Sequence, residues 1–384
     1  MKIAILTTDN REHHRRYELT QPYFGTAPEA LIQGFTDIPE VEVHIVSCTQ
    51  RPMQSPEKII DNIWFHSLHV PKIGWLRTAY QGCIRATKKF LRKLQPDIVH
   101  GQGTERDCAI SAVFSGFPNV ITLHGIMGAQ ARLLKARPGS FYWLAMMLER
   151  MTLPRTLGVL CNSAYTESMV RRLSRRTWQI PNAVRRQFFD SPLPGRSTSA
   201  TPVLLNVGAI GVRKRQLVLL DIIDRLLRKG ASLELHFIGA AHPRDAYSAS
   251  FLRRVQGTAT SQRIRHLGTR DLPELIRSFD HASALVHVPS EESFGLVVAE
   301  ALARNLRLFA TDVGGVRDIA DGVEGAELFP VGNDDALAAA IGNWVQKGCP
   351  QPASAAAEMR RHYHPGVIAK RHVEIYHEVL SKPS

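Results

Sequence analysis

Residues 289–303 read PSEESFGLVVAEALA and directly follow a short apolar run, Ala284–Val288. The run has the length and composition of a buried strand, and the Pro-Ser pair after it ends the strand. The apolar residues after Gly295 recur with helical rather than alternating periodicity, which predicts a helix beginning near Phe294 or Gly295. Because the first N–H groups of a helix lack intrahelical acceptors and carry partial positive charge, this strand–loop–helix predicts a phosphate-binding site.

Two carboxylates flank the predicted helix entrance: Glu292 lies in the loop and Glu300 lies inside the helix. The simplest interpretation makes Glu292 a capping charge and Glu300 part of a solvated helix face. However, the residues on both sides of Glu300, 296–299 and 301–303, are all apolar. We therefore expect the Glu300 carboxylate to be buried and to need a partner, which favours a functional role.

Length and composition indicate a globular protein of two domains. A chain of 384 residues predicts two domains of nearly equal size, and the hydrophobic content is 44%. The five cysteines are scattered without a Cys-x-x-Cys motif, which excludes a disulfide framework or zinc module and favours a reducing, cytoplasmic compartment. Met1–Leu6 is too short for a signal peptide and is expected to form a strand. No apolar run approaches about 18 residues, so we expect no membrane span.

The net charge of +13 fits binding to nucleic acid, to an anionic membrane or to anionic small molecules. Residues 73–94 predict a basic amphipathic helix. Contact with an anionic membrane and packing on a sheet with a solvated basic face explain this segment equally well. Phe141–Leu148 is a second candidate for membrane contact, although its composition fits a core helix better.

Short apolar strands alternate with helix-length segments along the whole chain, which predicts parallel, doubly wound α/β sheets. Residues 190–202 are rich in Pro, Ser, Thr and Gly and predict a linker. The linker divides the chain into an N-terminal domain, residues 1–189, and a C-terminal domain, residues 203–361. Two such domains predict a cleft between them, which is a usual place for ligands.

Polar residues at strand ends mark a second group of candidates, because ligands of parallel sheets bind at the carboxyl ends of strands. His100, His124 and Asn162 each end a predicted strand. A structural role for His124 is the alternative, and its position favours a functional one. Gly25 and Thr26 precede a predicted helix at about residue 29, where a glycine lets a ligand approach the backbone, although a plain turn explains them equally well.

The first strand of the second half, Val203–Gly208, leads into a loop that contains three consecutive cations, Arg213, Lys214 and Arg215. Glycines followed by cations and an apolar helix predict a phosphate-binding loop. The loop contains no Gly-Lys-Ser/Thr and is therefore not a Walker A motif. A solvated basic turn is the competing interpretation, and the position at a strand end favours phosphate binding.

Several of these stretches resemble the retaining glycosyltransferases of family 4, which have the GT-B fold. The resemblance rests on Glu292 and Glu300 with Phe-Gly-Leu between them, on Lys214, and on the Gly-Gly loop within residues 311–318. It covers most of the chain, is strongest from 203 to 318, and is weak in the first 100 residues. The chain departs from the family pattern at three single positions and in one tripeptide: Ala209 replaces an Arg, Thr26 replaces a Gly, Asp318 replaces a Glu, and Asn305–Arg307 replaces a Gly-x-Pro.

The resemblance implies two Rossmann-like domains that face a central cleft, with a C-terminal helix in residues 362–384 that packs back on the first domain. It also implies a retaining hexosyltransferase that moves a hexose-type sugar from a UDP- or GDP-sugar to a hydroxyl of a glycan or lipid-linked acceptor. Synthesis of surface polysaccharide, lipopolysaccharide or glycolipid is the expected setting. The expected location is the cytoplasm, with contact to the inner face of the cell membrane.

The resemblance also assigns roles to residues. Glu292 and His124 resemble the groups that bind the transferred sugar at the catalytic centre, and Glu300 resembles the carboxylate that binds the ribose. The remaining donor-binding residues are expected to be Gly208, Arg213, Lys214, Arg215, Gly268, Ser293, Phe294, Gly295, Leu296 and Val297. Gly25 and Thr26 correspond to the loop near the acceptor and the diphosphate.

Neither a metal nor a cofactor is expected, since the sequence has no Asp-x-Asp and the GT-B enzymes generally work without metal. A GT-B epimerase or phosphorylase is an alternative enzyme, and a phosphorylase would require a lysine site for pyridoxal phosphate that we do not find. A basic nucleic-acid-binding protein is a third possibility. Such a protein needs a clustered basic face with interleaved aromatic residues, and aromatic residues make up only 7% of the chain.

Overall fold

The structure is a computed structural model that describes residues 1–193, 195, 201–257 and 261–381. The described residues form two compact units, one of residues 1–186 and 363–381 and the other of residues 187–362. The predicted linker, residues 190–202, lies partly outside the described residues. Among the described residues, no helix is both long enough and apolar enough to cross a membrane.

The described part of the first unit contains an eight-stranded sheet. Its strands are, in chain order, β1 Lys2–Leu6, β2 Glu42–Thr49, β3 Lys58–Ile60, β4 Ile63–His69, β5 Ile98–Gln102, β6 Asn119–Leu123, β7 Gly158–Cys161 and β8 Thr177–Gln179. The spatial order is β3-β4-β2-β1-β5-β6-β7-β8, and all pairs are parallel except β3 with β4. The helices that follow these strands are α1 Asn10–His14, α2 Thr26–Phe35, α3 Gln81–Leu94, α4 Asp107–Val113, α5 Met127–Leu133, α6 Phe141–Thr152 and α7 Ala164–Val170.

The second unit contains a six-stranded parallel sheet in its described part. Its strands are β9 Val203–Val207, β10 Glu234–Ile238, β11 Ile264–His266, β12 Ala284–His287, β13 Arg307–Thr311 and β14 Ala326–Phe329, in the spatial order β11-β10-β9-β12-β13-β14. The helices are α8 Gln187–Asp190, α9 Gln216–Arg228, α10 Ala246–Gly257, α11 Leu272–His281, α12 Leu296–Leu302, α13 Val316–Ala320, α14 Asp334–Gln346 and α15 Ala355–Tyr363.

The order of the strands in each sheet determines which loops lie next to one another. In each sheet the first strand, β1 or β9, has the next strand of its chain on one side and a later strand on the other. At this point of reversal, the loops after two neighbouring strands turn to opposite faces and leave a crevice. The crevice lies between the loops after β1 and β5 in the first unit, and between the loops after β9 and β12 in the second.

The last described helix, α16 Pro365–Ser381, belongs to the first unit and packs on α2. The two helices approach closely at Gly34, where a Cβ atom would lie 2.2 Å from the carbonyl oxygen of Pro365. Tyr376 of α16 is fully buried, and its hydroxyl lies 2.6 Å from His100 Nδ1 on β5. The helix therefore forms part of the core of this unit.

The basic segment 73–94 differs from the single predicted helix. Two one-turn 3₁₀ helices, Lys72–Gly74 and Leu76–Thr78, precede α3. Ala79 and Tyr80 both have left-handed backbone angles, with φ of 48° and 59°, and these angles end the first turns before α3 begins. The prediction missed this break because neither residue is the glycine that usually marks it.

Candidate functional site

Two loops of the second unit meet at the reversal of strand order, one after β9 and the other after β12. The backbone N–H of Ser290 donates to the carbonyl oxygen of Arg213 at 2.8 Å. Thr311 Oγ1 donates to the carbonyl of Pro289 at 2.7 Å, and the N–H of Gly315 donates to the carbonyl of Glu292 at 3.1 Å. Backbone and side-chain bonds therefore fix the loop after β12 from both sides.

Glu292 is the centre of the charged groups in this crevice. Its carboxylate forms an ion pair with Lys214, and Arg213 Nη1 lies 3.7 Å from its Oε1. His287 Nε2 lies 3.5 Å from Glu292 Oε2, and the His287 side chain is buried. The Glu292 side chain itself is only 12% exposed, so these charges interact through a medium that screens them weakly.

The protonation states follow from these contacts. Burial alone would raise the pKa of Glu292, but the nearby ring of His287 and the charges of Lys214 and Arg213 outweigh it. The pKa of Glu292 is therefore well below the usual carboxyl range. Burial lowers the pKa of His287, so this imidazole is neutral near pH 7. Glu292 is thus a permanent carboxylate that accepts hydrogen bonds and has no proton to donate.

The three consecutive cations have different partners. Val212–Lys214 form a 3₁₀ turn, which directs Lys214 and Arg213 toward Glu292. Arg213 also donates to the carbonyl oxygen of Glu291 at 3.1 Å. Arg215, with a left-handed φ of 53°, instead pairs with Asp334 at the start of α14, at 3.2 Å. Arg213 and Arg215 are the two candidates to replace the charge missing at Ala209, and of these only Arg213 lies close to Glu292.

Glycines allow the neighbouring strand ends to come close together. Gly239 has a φ of +148°, and a Cβ atom there would lie 2.0 Å from the carbonyl oxygen of Gly208. The N–H of Gly239 donates to the carbonyl of Gly268 at 2.8 Å. The predicted donor-binding residues Gly208 and Gly268 therefore lie on either side of Gly239, at the carboxyl ends of β9 and β11.

Helix α12 begins at Leu296, one to two residues later than predicted, because Gly295 is its N-cap with a left-handed φ of +98°. Ser293 and Phe294 are buried, whereas Leu296 and Val297 of the first turn are half-buried. Glu300 is buried, as its apolar neighbours predict. In this seven-residue helix, Leu296 and Val297 of the first turn are therefore partly exposed to solvent, whereas the Glu300 side chain lies in the interior.

In the first unit, His124 follows β6. Its Nε2 lies 2.8 Å from Gln102 Oε1, and its Nδ1 is buried with no hydrogen-bond partner among the described residues. Burial lowers the pKa of His124 to about 4, so the ring is neutral at pH 7. With Nε2 donating to Gln102, Nδ1 carries a lone pair and is an acceptor for a hydroxyl group. His100, by contrast, bonds to Tyr376 and to Thr122 and is structural.

Gly25 and Thr26 occupy the start of α2, with Gly25 as the N-cap residue. The φ of Gly25 is −61°, and a Cβ atom there would meet only Pro28 Cδ, at 3.7 Å. The backbone therefore does not require a glycine at this position. Asn162, the third predicted strand-end residue, is buried and accepts a hydrogen bond from Thr166 Oγ1 at 2.8 Å.

Two family models match this chain. Residues 201–347 match the model described as "Glycosyl transferases group 1", and residues 30–188 match the model described as "Glycosyltransferase Family 4". Together the two matches cover most of the chain. The protein is a family 4 glycosyltransferase. No curated protein matches it in sequence.

Solved structures support the same fold for this glycosyltransferase. Sucrose-phosphate synthase from Thermosynechococcus elongatus superposes with a TM-score of 0.77 at 18% identity over 99% of both chains. Anabaena HepE in complex with UDP-glucose gives 0.72 at 16% identity, covering 98% of this chain and 100% of the other. The apo form of the lipopolysaccharide outer core galactosyltransferase WaaB gives 0.70 at 16% identity with the same coverage. The two parallel-sheet units are therefore those of the GT-B fold, as predicted.

One half-buried carboxyl group of the glycosyltransferase was not predicted. Glu105 follows β5, and its side chain lies against two glycines: a Cβ atom on Gly103 would be 2.0 Å from Oε2, and one on Gly125 would be 3.6 Å from Oε1. Burial, assisted by the charge of Glu149, raises the pKa of Glu105 to about 7. Gly125 directly follows His124, so this carboxyl group lies beside the predicted sugar-binding histidine. The turn Gly101–Gly103 at a strand end was the available signal.

Glu149 supports the loop that contains Gly125. Its Oε2 accepts hydrogen bonds from Thr104 Oγ1 at 2.8 Å and from the N–H of Met127 at 3.0 Å. Its Oε1 accepts from the N–H of Gly128, also at 3.0 Å. One buried carboxylate of α6 thereby joins the loop after β5 to the start of α5.

Within the described residues, one group has donor atoms close enough to hold a metal ion: Cys48, Cys83 and Asp107, whose candidate atoms all lie within 4.8 Å of one another. All three are buried. The hydrogen bond to Cys83 and burial raise the pKa of the Cys48 thiol well above its usual value. Thiols in such surroundings are protonated and unreactive.

Proposed function

We propose that this glycosyltransferase is a retaining hexosyltransferase, which moves a hexose from a UDP- or GDP-sugar to a hydroxyl of a glycan or lipid-linked acceptor. The observation that carries the proposal is the ionised Glu292 beside Lys214 and Arg213 at the strand reversal of the second unit. Such a crevice at the carboxyl ends of parallel strands is where nucleotides bind in doubly wound sheets.

The leaving group needs positive charge. When the bond between the anomeric carbon and the phosphate oxygen breaks, its electron pair stays with the diphosphate. Lys214 and Arg213 supply the charge that stabilises this anion, and the N–H groups at the first turn of α12 supply hydrogen bonds. The two side chains take the role that a divalent cation has in other transferases, so the proposed reaction uses neither a metal nor a cofactor.

Glu292 holds the donor sugar through its hydroxyl groups. As a permanent carboxylate it accepts two or more hydrogen bonds, and charge-assisted hydrogen bonds of this kind are about twice as strong as neutral ones. Buried Glu300 binds the ribose, and in the first unit the lone pair on His124 Nδ1 suits a hydroxyl group of a ligand. The acceptor oxygen attacks the anomeric carbon on the face that the diphosphate leaves, and its proton passes to the departing phosphate oxygen. This sequence retains the anomeric configuration.

The setting that we propose is the synthesis of surface polysaccharide, lipopolysaccharide or glycolipid at the inner face of the cell membrane. Helix α3 supports this setting, because it buries Cys83, Ile84, Thr87 and Leu91 and exposes a basic face of Arg85, Lys89, Arg92 and Lys93. A helix face of this kind is attracted to anionic lipids. A solvated basic face remains the alternative for α3, and binding to anionic vesicles distinguishes the two.

A panel of nucleotide sugars tests the function. UDP- and GDP-sugars are incubated with the protein, and release of free sugar and thermal stabilisation are measured, with UDP-glucose first because HepE was solved with it. We expect one nucleotide class to stabilise the protein and single-stranded DNA to have no effect. Lys214→Ala and Glu300→Ala are expected to lose stabilisation by the nucleotide, whereas Arg228→Ala, a cation at the end of α9, is expected to keep it.

Two results would contradict the proposal. Protection by single-stranded DNA and by no nucleotide would favour a nucleic-acid-binding protein. An inverted anomeric configuration in the product, measured by proton NMR of the new linkage, would exclude the retaining reaction while leaving the donor site intact.

A further inference from the structure

A basic pocket of about 430 Å³ lies in the first unit, apart from every residue assigned a role above. Five of its lining side chains are basic: His13, Arg15, Arg51, Lys72 and Arg106. The described lining contains one carboxylate, Glu12. The volume is within the usual range for pockets that bind small molecules, and it is far larger than a single phosphate needs.

Sheet order explains why these residues meet. His13 and Arg15 follow β1, Arg51 follows β2, Lys72 follows β4, and Arg106 follows β5. These four parallel strands are neighbours in the order β4-β2-β1-β5, so their carboxyl ends lie along one edge of the sheet. The pocket includes the strand reversal between β1 and β5, which is the position where ligands of such sheets bind.

A buried ion pair joins two of the loops that contribute residues to the pocket. Arg11 is fully buried, and its Nη2 lies 2.7 Å from Asp9 Oδ2. The same guanidinium donates to the carbonyls of Leu19 at 2.9 Å and Gln54 at 3.0 Å and to Ser55 Oγ at 2.7 Å. The loop after β1 is thereby bonded to the loop after β2. A charged pair with its donors satisfied in this way fixes one arrangement of these loops.

The positive charge of the pocket is not neutralised from within. Among the described residues, Arg15, Arg51, Lys72 and Arg106 form no ion pair with a carboxylate. Glu12 is buried, and its Oε2 accepts the backbone N–H of Gln50 at 2.9 Å. Other arginines of this unit do have carboxylate partners, for example Arg186 with Asp37 at 2.6 Å.

Two contacts hold cations toward the cavity. The guanidinium of Arg51 lies 5.1 Å from the ring centroid of Tyr17, at a distance typical of a cation–π interaction. Arg106 Nη2 donates to His13 Nδ1 at 3.2 Å. Burial and the charge of Arg106 lower the pKa of His13, so His13 is a neutral acceptor and Arg106 keeps its other donors for a ligand.

We propose that this pocket binds a phosphate or diphosphate group of the acceptor substrate. Planar arginine side chains bind phosphate oxygens in pairs, and a lysine adds a point charge. The pocket is concave and its charges converge from four loops, which suits one compact anion better than an extended surface. The inference rests on the proposed function, because it names the chemical class of the acceptor. A soluble sugar phosphate and a lipid-linked sugar diphosphate share this chemistry.

Inorganic pyrophosphate is the probe for the first test, measured by isothermal titration calorimetry on the full chain. We expect the wild type to bind it at two sites, the pocket and the donor site. We expect Lys214→Ala to bind pyrophosphate only in the pocket. We expect Arg15→Ala/Arg51→Ala to lose pyrophosphate binding in the pocket. Loss of two charge-assisted contacts corresponds to an affinity decrease of roughly a hundredfold or more. Arg172→Ala/Arg175→Ala removes the same charge from exposed positions of this unit and is expected to bind as the wild type does.

Failure of the inference and failure of the proposed function give different results. If the inference is wrong, nucleotide sugars protect the protein, but the Arg15/Arg51 double variant binds pyrophosphate with the affinity of the wild type. If the proposed donor site is wrong, no nucleotide sugar protects the protein, while pyrophosphate still binds and the double variant still loses it. A stable fold of each variant, measured by circular dichroism, ensures that lost binding reflects the pocket.

Three further ligands identify the source of the phosphate. A hexose phosphate and a short-chain lipid-linked sugar diphosphate are each titrated against the wild type and the double variant. The ligand whose binding depends on Arg15 and Arg51 gives the acceptor class. Vesicles of anionic phospholipid without a diphosphate are the third ligand. Vesicle binding that depends on these arginines, without pyrophosphate binding, would make the region a membrane contact and would overturn the proposal.

Discussion

The side chains of Lys214 and Glu292 form an ion pair between residues 78 positions apart, which joins the loop after β9 to the loop after β12. In an enzyme that handles a diphosphate, a lysine and a carboxylate have opposite preferences for the ligand. In the reaction that we propose, Lys214 attracts phosphate oxygens, whereas Glu292 repels them and accepts hydrogen bonds from sugar hydroxyls. If these roles are right, the pair marks the boundary between the phosphate end and the sugar end of the crevice.

Glu292→Gln tests this division of roles. The amide keeps the shape of the side chain and removes the charge, so the sugar loses a charge-assisted hydrogen bond. We expect the rate of sugar transfer to fall roughly ten- to a hundredfold, with the nucleotide alone still bound. The measurements are initial rates with the donor found in the nucleotide-sugar panel and calorimetric binding of the nucleotide.

Glu291→Gln is the matched control, because Glu291 is the neighbouring carboxylate and lies 3.4 Å from Arg213 Nη1. Its loss changes the net charge equally and leaves the Lys214–Glu292 pair intact. Equal losses of rate in both variants would show that only the local charge matters and would contradict the role given to Glu292.

Gly239→Ala tests the close approach of two strand ends. A Cβ atom at residue 239 would lie 2.0 Å from the carbonyl oxygen of Gly208, and the φ of +148° is strained for any other residue. We expect the free energy of unfolding to decrease by about 1–3 kcal/mol and nucleotide binding to weaken, because the Gly208 loop must move. Chemical denaturation and calorimetry measure the two effects.

Gly342→Ala in helix α14 is the control for this change. Its new Cβ atom would lie 3.6 Å from Leu226 Cδ2, an ordinary contact, and alanine is preferred inside helices by roughly 0.5–1 kcal/mol. We expect this variant to be slightly more stable than the wild type. A destabilisation as large as that of Gly239→Ala would show that glycine replacement in general, rather than the Gly208 contact, causes the effect.

Local sequence patterns predicted what depends on neighbours in the chain. The apolar residues around Glu300 predicted its burial, because a helix with apolar residues on all sides has no polar face to expose. The alternation of strands and helices along the chain predicted two doubly wound sheets. These features depend on periodicity, which is visible within a window of about 15 residues.

Contacts between distant segments were not predicted. Arg215 and Lys214 are adjacent and chemically similar, yet Arg215 pairs with Asp334, 119 residues away. Nothing near residue 215 indicates which way its side chain turns, because the left-handed backbone angle that turns it occurs at an arginine rather than a glycine. The surroundings of Glu105 likewise could not be predicted from its own loop, because one of the two glycines against its side chain, Gly125, belongs to a separate loop.

The raised pKa of Glu105 predicts a particular pH dependence of stability. Its folded-state pKa of about 7 exceeds the usual carboxyl value, so the folded protein binds more protons than the unfolded chain between about pH 4.5 and 7. Stability contributed by this group is therefore complete below that interval and is lost as pH rises through it. Glu105→Gln cannot ionise and is expected to remove the loss, so that its stability relative to the wild type is greater at pH 8 than at pH 5.

Urea denaturation of both proteins at pH 5 and pH 8 measures this difference. Relative to the wild type, we expect the free energy of unfolding of Glu105→Gln to be greater at pH 8 than at pH 5 by on the order of 2 kcal/mol. This is less than the whole pKa shift would give, because Glu105 is only half-buried and solvent screens part of the effect. Glu40→Gln, at an exposed position of the same unit, is expected to show no such gain. An identical pH profile for wild type and Glu105→Gln would show that the carboxyl group is ionised in the folded protein near neutral pH.

Arg304 holds the segment that follows residue 186 onto the second unit. Its side chain is fully buried, and its Nε lies 2.7 Å from Asp280 Oδ1. Its terminal nitrogens donate to the carbonyls of Ser191 at 2.7 Å and Pro192 at 2.6 Å. One guanidinium therefore pairs with a carboxylate and also donates to two backbone carbonyls that lie outside the regular strands and helices.

Arg304→Ala is expected to destabilise the second unit by about 3–5 kcal/mol, because it leaves Asp280 and the carbonyls without their donor. Arg304→Lys keeps the charge but reaches fewer acceptors, since an ammonium group lacks the planar fork, so we expect an intermediate loss. Arg304→Ala combined with Asp280→Asn removes the unpaired charge as well and is expected to recover part of the stability. Thermal unfolding of the four proteins measures these differences. If the double variant were no more stable than Arg304→Ala, the carbonyl contacts rather than the ion pair would account for the role of Arg304.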